Sequence, residues 1–191
     1  MPVVKYLVLR FSSIGDIVLT TPVVRGLKQQ VENAEVHYFT KPAYKDILEA
    51  NPYIDKVHLL EKDLKSQLKR LEQEQFDYII DLHKNLRTLR VKSYLKSLSF
   101  AFDKVNFQQW LLVNFKVNKL PDKHIVDRYY DTVKVFDVHD DQKGLDYFIP
   151  EQDQIDVSAH FPTLKGEDYY GFVLGANHNT KMLTREKITA I

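Results

Sequence analysis

Hydrophobic positions along the chain gather into short, nearly continuous runs that alternate with stretches of helical period. Val3-Val-Lys-Tyr-Leu-Val-Leu9 is almost unbroken and rich in β-branched residues, as a central parallel strand covered on both faces requires. After a polar turn, Ile17, Thr21, Val24, Leu27 and Val31 recur at helical spacing and predict a helix from Ile17 to Val31. Pro22 lies inside that span without an N–H to donate, which predicts a kink near Val18. Further strands are expected over Glu35–Thr40, Lys56–Leu60, Phe76–Asp81 and Ser97–Phe102. Helices are expected from Pro42 to Leu48, Asp63 to Gln75, Asn85 to Tyr94, Phe107 to Phe115 and His124 to Phe136. Residues 137–166 are acidic and weakly periodic and read as a wandering connection. Tyr169–Gly175 then reads as a fresh strand, and a fresh helix begins at Leu183.

Strands alternating with helices argue an α/β fold, a Rossmann-like, doubly wound and mainly parallel sheet over roughly the first 140 residues. The organisation expected is a domain over residues 1–150, a linker over 151–166, and the first strand and helix start of an incomplete second α/β unit over 167–191. At 191 residues the chain supports one sizeable core. A net charge of +1 offers no general attraction for nucleic acid. The absence of cysteine excludes a disulfide scaffold and thiolate metal sites and fits a reducing compartment. The N-terminal apolar run is too short for a signal peptide, and no stretch approaches the ~20 apolar residues of a membrane span, so a cytoplasmic location is expected.

Four constellations carry candidate chemistry. Arg10-Phe-Ser-Ser-Ile-Gly-Asp16 joins the first strand to the first helix, where open α/β sheets place ligands. Ser12, Ser13, Gly15 and Asp16 are the residues it offers: Asp16 could take a proton from a substrate hydroxyl, or Ser13 and Asp16 could simply cap the helix. One glycine is too few for a dinucleotide fingerprint. Asp81-Leu-His-Lys-Asn-Leu-Arg87 repeats the strand-to-turn-to-helix arrangement. With Lys84, Arg87, Arg90, Lys92 and Lys96, and no acidic residue between Leu82 and Phe102, it forms a basic surface. That surface suits a phosphorylated or carboxylated ligand or an anionic membrane, or is a solvated helix face. His83 has no second ligand at a metal-like spacing. His124-Ile-Val-Asp-Arg-Tyr129 sets His124 and Arg128 four apart, on one helix face, either toward a ligand or toward water. Gly175-Ala-Asn-His-Asn-Thr-Lys181 places Thr180 and Lys181 ahead of a helix, an arrangement suited to a phosphate. The run from Phe107 to Phe115, with the only Trp, is core packing or an interfacial surface beside the basic stretch.

Taken in order, Leu9-Arg-Phe-Ser-Ser-Ile-Gly-Asp-Ile-Val-Leu-Thr-Thr-Pro22, Asn51-Pro-Tyr-Ile-Asp55, the Asp81, His124 and Gly175 segments resemble glycosyltransferase family 9, the ADP-heptose:lipopolysaccharide heptosyltransferases. The resemblance implies a GT-B architecture, two Rossmann-like domains across a cleft, of which this chain carries the N-terminal, acceptor-side one. It implies inverting, metal-independent transfer with no cofactor, from ADP-heptose or a related nucleotide sugar to a lipid-linked saccharide. Asp16 would then be the general base. Ser12, Ser13, Gly15, Lys84, Arg87, His124 and Arg128 would lie on the acceptor side, and Thr180 and Lys181 on the donor side. The family's Lys-Arg-Trp-Pro continuation stands here as Lys181-Met-Leu-Thr184, and typical members continue for roughly another domain. The chain alone is therefore expected to be inactive. The rival expectation is a non-catalytic module that binds an anionic glycolipid or nucleotide.

Overall fold

In the computed structural model, the described residues are 2–61, 63–164, 168, 171, 173, 175, 176 and 182–189. Five strands, β1 (Val4–Leu9), β2 (Ala34–Thr40), β3 (Lys56–Leu59), β4 (Tyr78–Asp81) and β5 (Leu98–Ala101), pair in parallel in the order β3-β2-β1-β4-β5. Helices cover both faces, which is why β1 reads as a continuous apolar run; the short α3 (Lys45–Leu48) follows β2 in sequence, and α6 (Asn106–Phe115) follows β5. Tyr6 and Val8 pack on α2 (Thr21–Gln30) and α7 (Ile125–Tyr130) through Val24, Leu27, Val126 and Tyr129. Leu7 and Leu9 point the other way, onto Leu68 and Leu71 of α4 (Leu64–Gln73) and Val91 of α5 (Leu86–Leu95). The strand order runs outward from β1 on one side and from β4 on the other. The reversal falls where Leu9 sits opposite Asp81, and the crevice beyond those two strand ends is where such sheets bind ligands.

Several elements differ from the sequence expectation, each for a local reason. The first helix is two: α1 (Ile14–Val18) starts three residues early, and the chain re-forms as α2 after Leu19 and Thr20. Pro22 sits in the first turn of α2, where a missing N–H costs nothing. The hydroxyls of Thr20 and Thr21 bond back to the carbonyls of Ile17 and Val18 at 2.6 and 2.8 Å and close the break. Likewise the expected helix to Phe136 stops at Tyr130, and Thr132 Oγ1 donates to the Tyr129 carbonyl at 2.6 Å. The acidic stretch after Asp137 does not wander. Arg25, buried in α2, holds both oxygens of Asp141 at 2.8 and 2.7 Å and the Gly144 carbonyl at 3.0 Å, and it pairs with Asp146.

The chain divides into two units, residues 1–150 and 151–191. Within the second, the described elements are α8 (Val157–His160), capped by Asp156, and α9 (Arg185–Thr189), with short helical turns at Glu151–Asp153 and Pro162–Leu164. Most of the expected strand Tyr169–Gly175 lies outside the described residues. Among the described residues no helix is long and apolar enough to cross a membrane.

Gly26 is where α2 passes closest to the end of the Arg25-held stretch. A Cβ there would meet Val138 Cγ1 at 2.8 Å and Tyr130 at 3.5 Å, both buried and neither able to swing away. Gly26→Val is expected to destabilise the fold by about 1–3 kcal/mol, the usual cost of overpacking, read as a lower denaturant midpoint at unchanged m-value.

Candidate functional site

Arg10 leaves the end of β1 and turns inward until only 8% of it is exposed. Its Nε donates to the Ser12 carbonyl at 2.6 Å. One terminal nitrogen donates to the Leu82 carbonyl at 2.6 Å and to the Tyr129 hydroxyl at 3.1 Å. The other forms an ion pair with Asp16 Oδ2 at 2.6 Å. One guanidinium thus ties together the turn after β1, the turn after β4 and helix α7.

Asp16, in the first turn of α1, receives two more hydrogen bonds on that same Oδ2, from the Ser13 amide at 3.1 Å and the Ser13 hydroxyl at 2.9 Å. Capping and a place in the crevice were alternatives from spacing alone; here one carboxylate does both. Partial burial works to raise the Asp16 pKa, but the Ser13 amide and hydroxyl and the Arg10 charge outweigh it and hold the group below the ordinary carboxylate range. All three contacts fall on Oδ2, which leaves Oδ1 without a hydrogen bond from a described residue.

Asp16 borders a cleft of about 190 Å³ lined by Arg10, His83, Lys104, Arg128 and Tyr129, with Phe102, Val105 and Ile125 as apolar walls. Three cationic side chains face one carboxylate. The imbalance is felt: burial and the Arg10 charge push Lys104 below its ordinary value, and burial, Arg10 and Lys104 bring His83 down to about 4. His83 is therefore neutral at pH 7. Among the described residues, His83 Nδ1 and Arg128 Nε are buried without a hydrogen-bond partner. Both the charge and the open hydrogen-bonding capacity favour an anionic, oxygen-rich ligand.

Of the residues singled out from sequence, the cleft brings together Asp16 and Arg128, with Ser13 on Asp16 and Ser12 supporting Arg10. Gly15 is exposed in α1, and a Cβ there would meet nothing within 4 Å. His124 does not share a helix face with Arg128. It is the N-cap of α7, its Nδ1 accepting from the Val126 amide, and it borders a different cleft beside Leu19 and Pro22. Lys84 lies 3.7 Å from Asp103. Arg87 stands over the Phe11 ring and lines a groove with Lys41 and Arg90. Lys92 leaves the basic surface altogether and pairs with buried Asp81 at 2.7 Å. Thr180 and Lys181 lie outside the described residues.

Arg10, His83, Lys104 and Tyr129 are cleft residues that sequence reasoning did not select. For Arg10 a signal exists: a lone charge closing a buried strand must find partners inside or reach water. Lys104 and Tyr129 carry none, because only the packing of α7 beside β5 sets them near β1.

The Asp16 pairing has a pH signature. A carboxyl whose folded pKa is depressed contributes stability above its unfolded value, near the reference 3.8, and loses it as pH falls through the folded pKa. Wild type is therefore expected to be more stable than Asp16→Asn at about pH 6, and the gap to narrow toward about pH 3, as followed by urea denaturation at each pH.

No family model matches the sequence. The chain is 29% identical, over 122 residues, to lipopolysaccharide heptosyltransferase 1 of Campylobacter coli, a match covering 61% of this chain and 36% of that protein. In fold it is similar to a glycosyl transferase family 9 protein of Veillonella parvula, with a TM-score of 0.60, 23% identity, and coverage of 78% of this chain and 45% of that one. It is also similar to E. coli heptosyltransferase WaaC with ADP, with a TM-score of 0.54, 16% identity, and coverage of 74% and 50%. The chain thus spans about a third of the curated relative and half of the solved structures. In sequence the chain is thus similar to a lipopolysaccharide heptosyltransferase, and in fold to solved structures of a glycosyl transferase family 9 protein and of a heptosyltransferase.

Proposed function

We propose that the chain is the acceptor-side part of an inverting, metal-independent glycosyltransferase that moves heptose from ADP-heptose to a lipopolysaccharide core. In this reading Asp16 takes the proton of an acceptor hydroxyl while that oxygen bonds to the anomeric carbon of the donor. The bond from that carbon to the diphosphate breaks, and ADP leaves. A second Rossmann-like domain would hold the donor, with Thr180 and Lys181 on its near side.

The observation that carries the reading is the Asp16 carboxylate itself. One oxygen is tied to Arg10 and Ser13, and the other is unengaged by any described residue, at the mouth of a cationic cleft at the switch point of the sheet. Against the opposing effect of burial, the Ser13 hydrogen bonds and the Arg10 charge hold the carboxyl below its ordinary range and make it a weak base. That suits a proton that departs late, once the forming bond has made the hydroxyl acidic. Lys104 and Arg128 would hold an anionic group of the acceptor, with Ser12, Ser13 and Gly15 at the turn. Lys84, Arg87 and His124 border neighbouring surface and would meet more distant parts of it. Leu86 and Leu89 stand exposed beside Arg87 and Arg90 on α5, a surface suited to anionic lipid at the inner face of the membrane.

The test is a transfer assay with ADP-heptose and a lipid-linked core acceptor. The 191-residue chain alone is expected to give no transfer, and the chain joined to a donor-binding domain to give transfer. In that active form Asp16→Asn should lower kcat by about 10²–10⁴-fold with acceptor binding retained. Near-normal turnover would reduce Asp16 to a cap. Acceptor binding with no transfer in any form would favour the non-catalytic module, for which the cationic cleft alone suffices.

Gly15 supplies a further prediction. Neither its φ nor its neighbours require glycine, and glycine in a helix costs roughly 0.5–1 kcal/mol relative to alanine. Gly15→Ala is expected to raise Tm while weakening acceptor binding, because the open space beside Asp16 is then partly filled.

A further inference from the structure

Away from the switch point, β2 and β3 bring two imidazoles together. His37, 1% exposed in the middle of β2, places Nδ1 2.9 Å from Nε2 of His58 on the edge strand β3. The opposite nitrogen of His37 is 2.7 Å from Glu35 Oε1. A carboxylate can only accept, so that nitrogen carries the hydrogen, and in the neutral ring Nδ1 is left with its lone pair. Glu74, at the C-terminal end of α4, completes a group whose ligand atoms all lie within 4.8 Å of one another.

We propose that His37, His58 and Glu74 bind a divalent transition-metal cation of the zinc type, clamping the edge strand to its neighbour and to the end of α4. Two histidines and one carboxylate are a donor set that suits zinc. Two nitrogens on a tetrahedral zinc ion stand roughly 3.3 Å apart, so the pair need open by only a few tenths of an ångström. The ion takes the place of the hydrogen now shared between the rings; that hydrogen moves to Nδ1 of His58, and Glu74 exchanges Lys56 for the metal.

Three features outside the ligand set agree. Glu35 bonded to the far nitrogen of His37 is the carboxylate–histidine arrangement that orients metal-binding imidazoles. Gln67, 6% exposed, lines the same cleft as His58 and Glu74, and its amide nitrogen is buried with no hydrogen-bond partner among the described residues. That donor fits a water on the fourth position of the ion. Phe76 stands edge-on to both imidazoles, with ring centroids 5.1 and 6.0 Å away, and supplies an apolar wall. The site is independent of the transfer chemistry proposed above.

The test is calorimetric titration of the untagged, EDTA-stripped chain with Zn²⁺, together with the visible spectrum of Co²⁺ added in its place. One ion per chain, a raised Tm and a tetrahedral Co²⁺ spectrum are expected. His58→Gln and Glu74→Gln should each weaken binding at least tenfold, and Glu35→Gln, which removes no ligand and keeps an acceptor, about 10–100-fold. His139→Gln, which alters a surface histidine paired with Asp137, should change nothing. No binding to the folded chain, or equal binding by the Glu35, His58 and Glu74 variants, would overturn the proposal.

Discussion

The buried guanidinium of Arg10 is the constraint on which the rest of the site depends. A cation taken out of water must be paired and fully hydrogen-bonded, or it destabilises the fold that buries it. Arg10 meets that demand with the Ser12 and Leu82 carbonyls, the Tyr129 hydroxyl and the Asp16 carboxylate, drawn from three separate segments. Asp16 is the one anion among them. Its position is therefore set by the need to neutralise Arg10 as much as by the helix it caps, and the rotamer of a candidate base is fixed before any ligand arrives.

The sheet order explains why cations gather there. Because the strands run outward from the β1–β4 pair, the turns after both strands and the start of α7 open on one crevice. Each contributes donors: Arg10 from the first turn, His83 from the second, Arg128 from α7, with Lys104 following β5. Asp81, buried behind the cleft, and Asp16, on its lining, offset them. Lys104 and His83 are both held below their ordinary values in part by neighbouring positive charge, so a bound anion would relieve repulsion already present in the empty cleft.

How much of this was legible in the sequence depended on the range of the interactions involved. Strands buried on both faces announce themselves as apolar runs, and a polar turn after such a run marks a crevice; that turn offered Asp16 as a cap or a proton acceptor, and only the family resemblance singled out the second role. The separation of α1 from α2 was half legible, since Pro22 forces an interruption but only the hydroxyls of Thr20 and Thr21 say where it closes. Lys104, Tyr129, the Arg25 clamp on Asp141 and Asp146, and the His37–His58–Glu74 group join residues between 16 and 121 positions apart. No local spacing encodes such meetings. His124 failed for the opposite reason: a spacing of four implies a shared face only when both residues lie inside the helix, and His124 is the cap before it.

The two turns at the switch point are built to one plan, and their difference separates support from chemistry. In each, an aspartate is held by at least one backbone amide and one basic side chain. Asp81 accepts from the amides of His83 and Lys84 at 3.1 and 2.7 Å on one oxygen, pairs with Lys92 on the other, and is fully buried. With no exposed surface and its second oxygen in an ion pair, it shapes the turn rather than meeting a ligand. Asp16 gathers its three partners on a single oxygen, and its side chain remains 39% exposed beside the cleft. The charge of Asp16 is thus secured by the fold while, among the described residues, nothing donates to its second oxygen, and that open acceptor is what the proposed proton transfer requires.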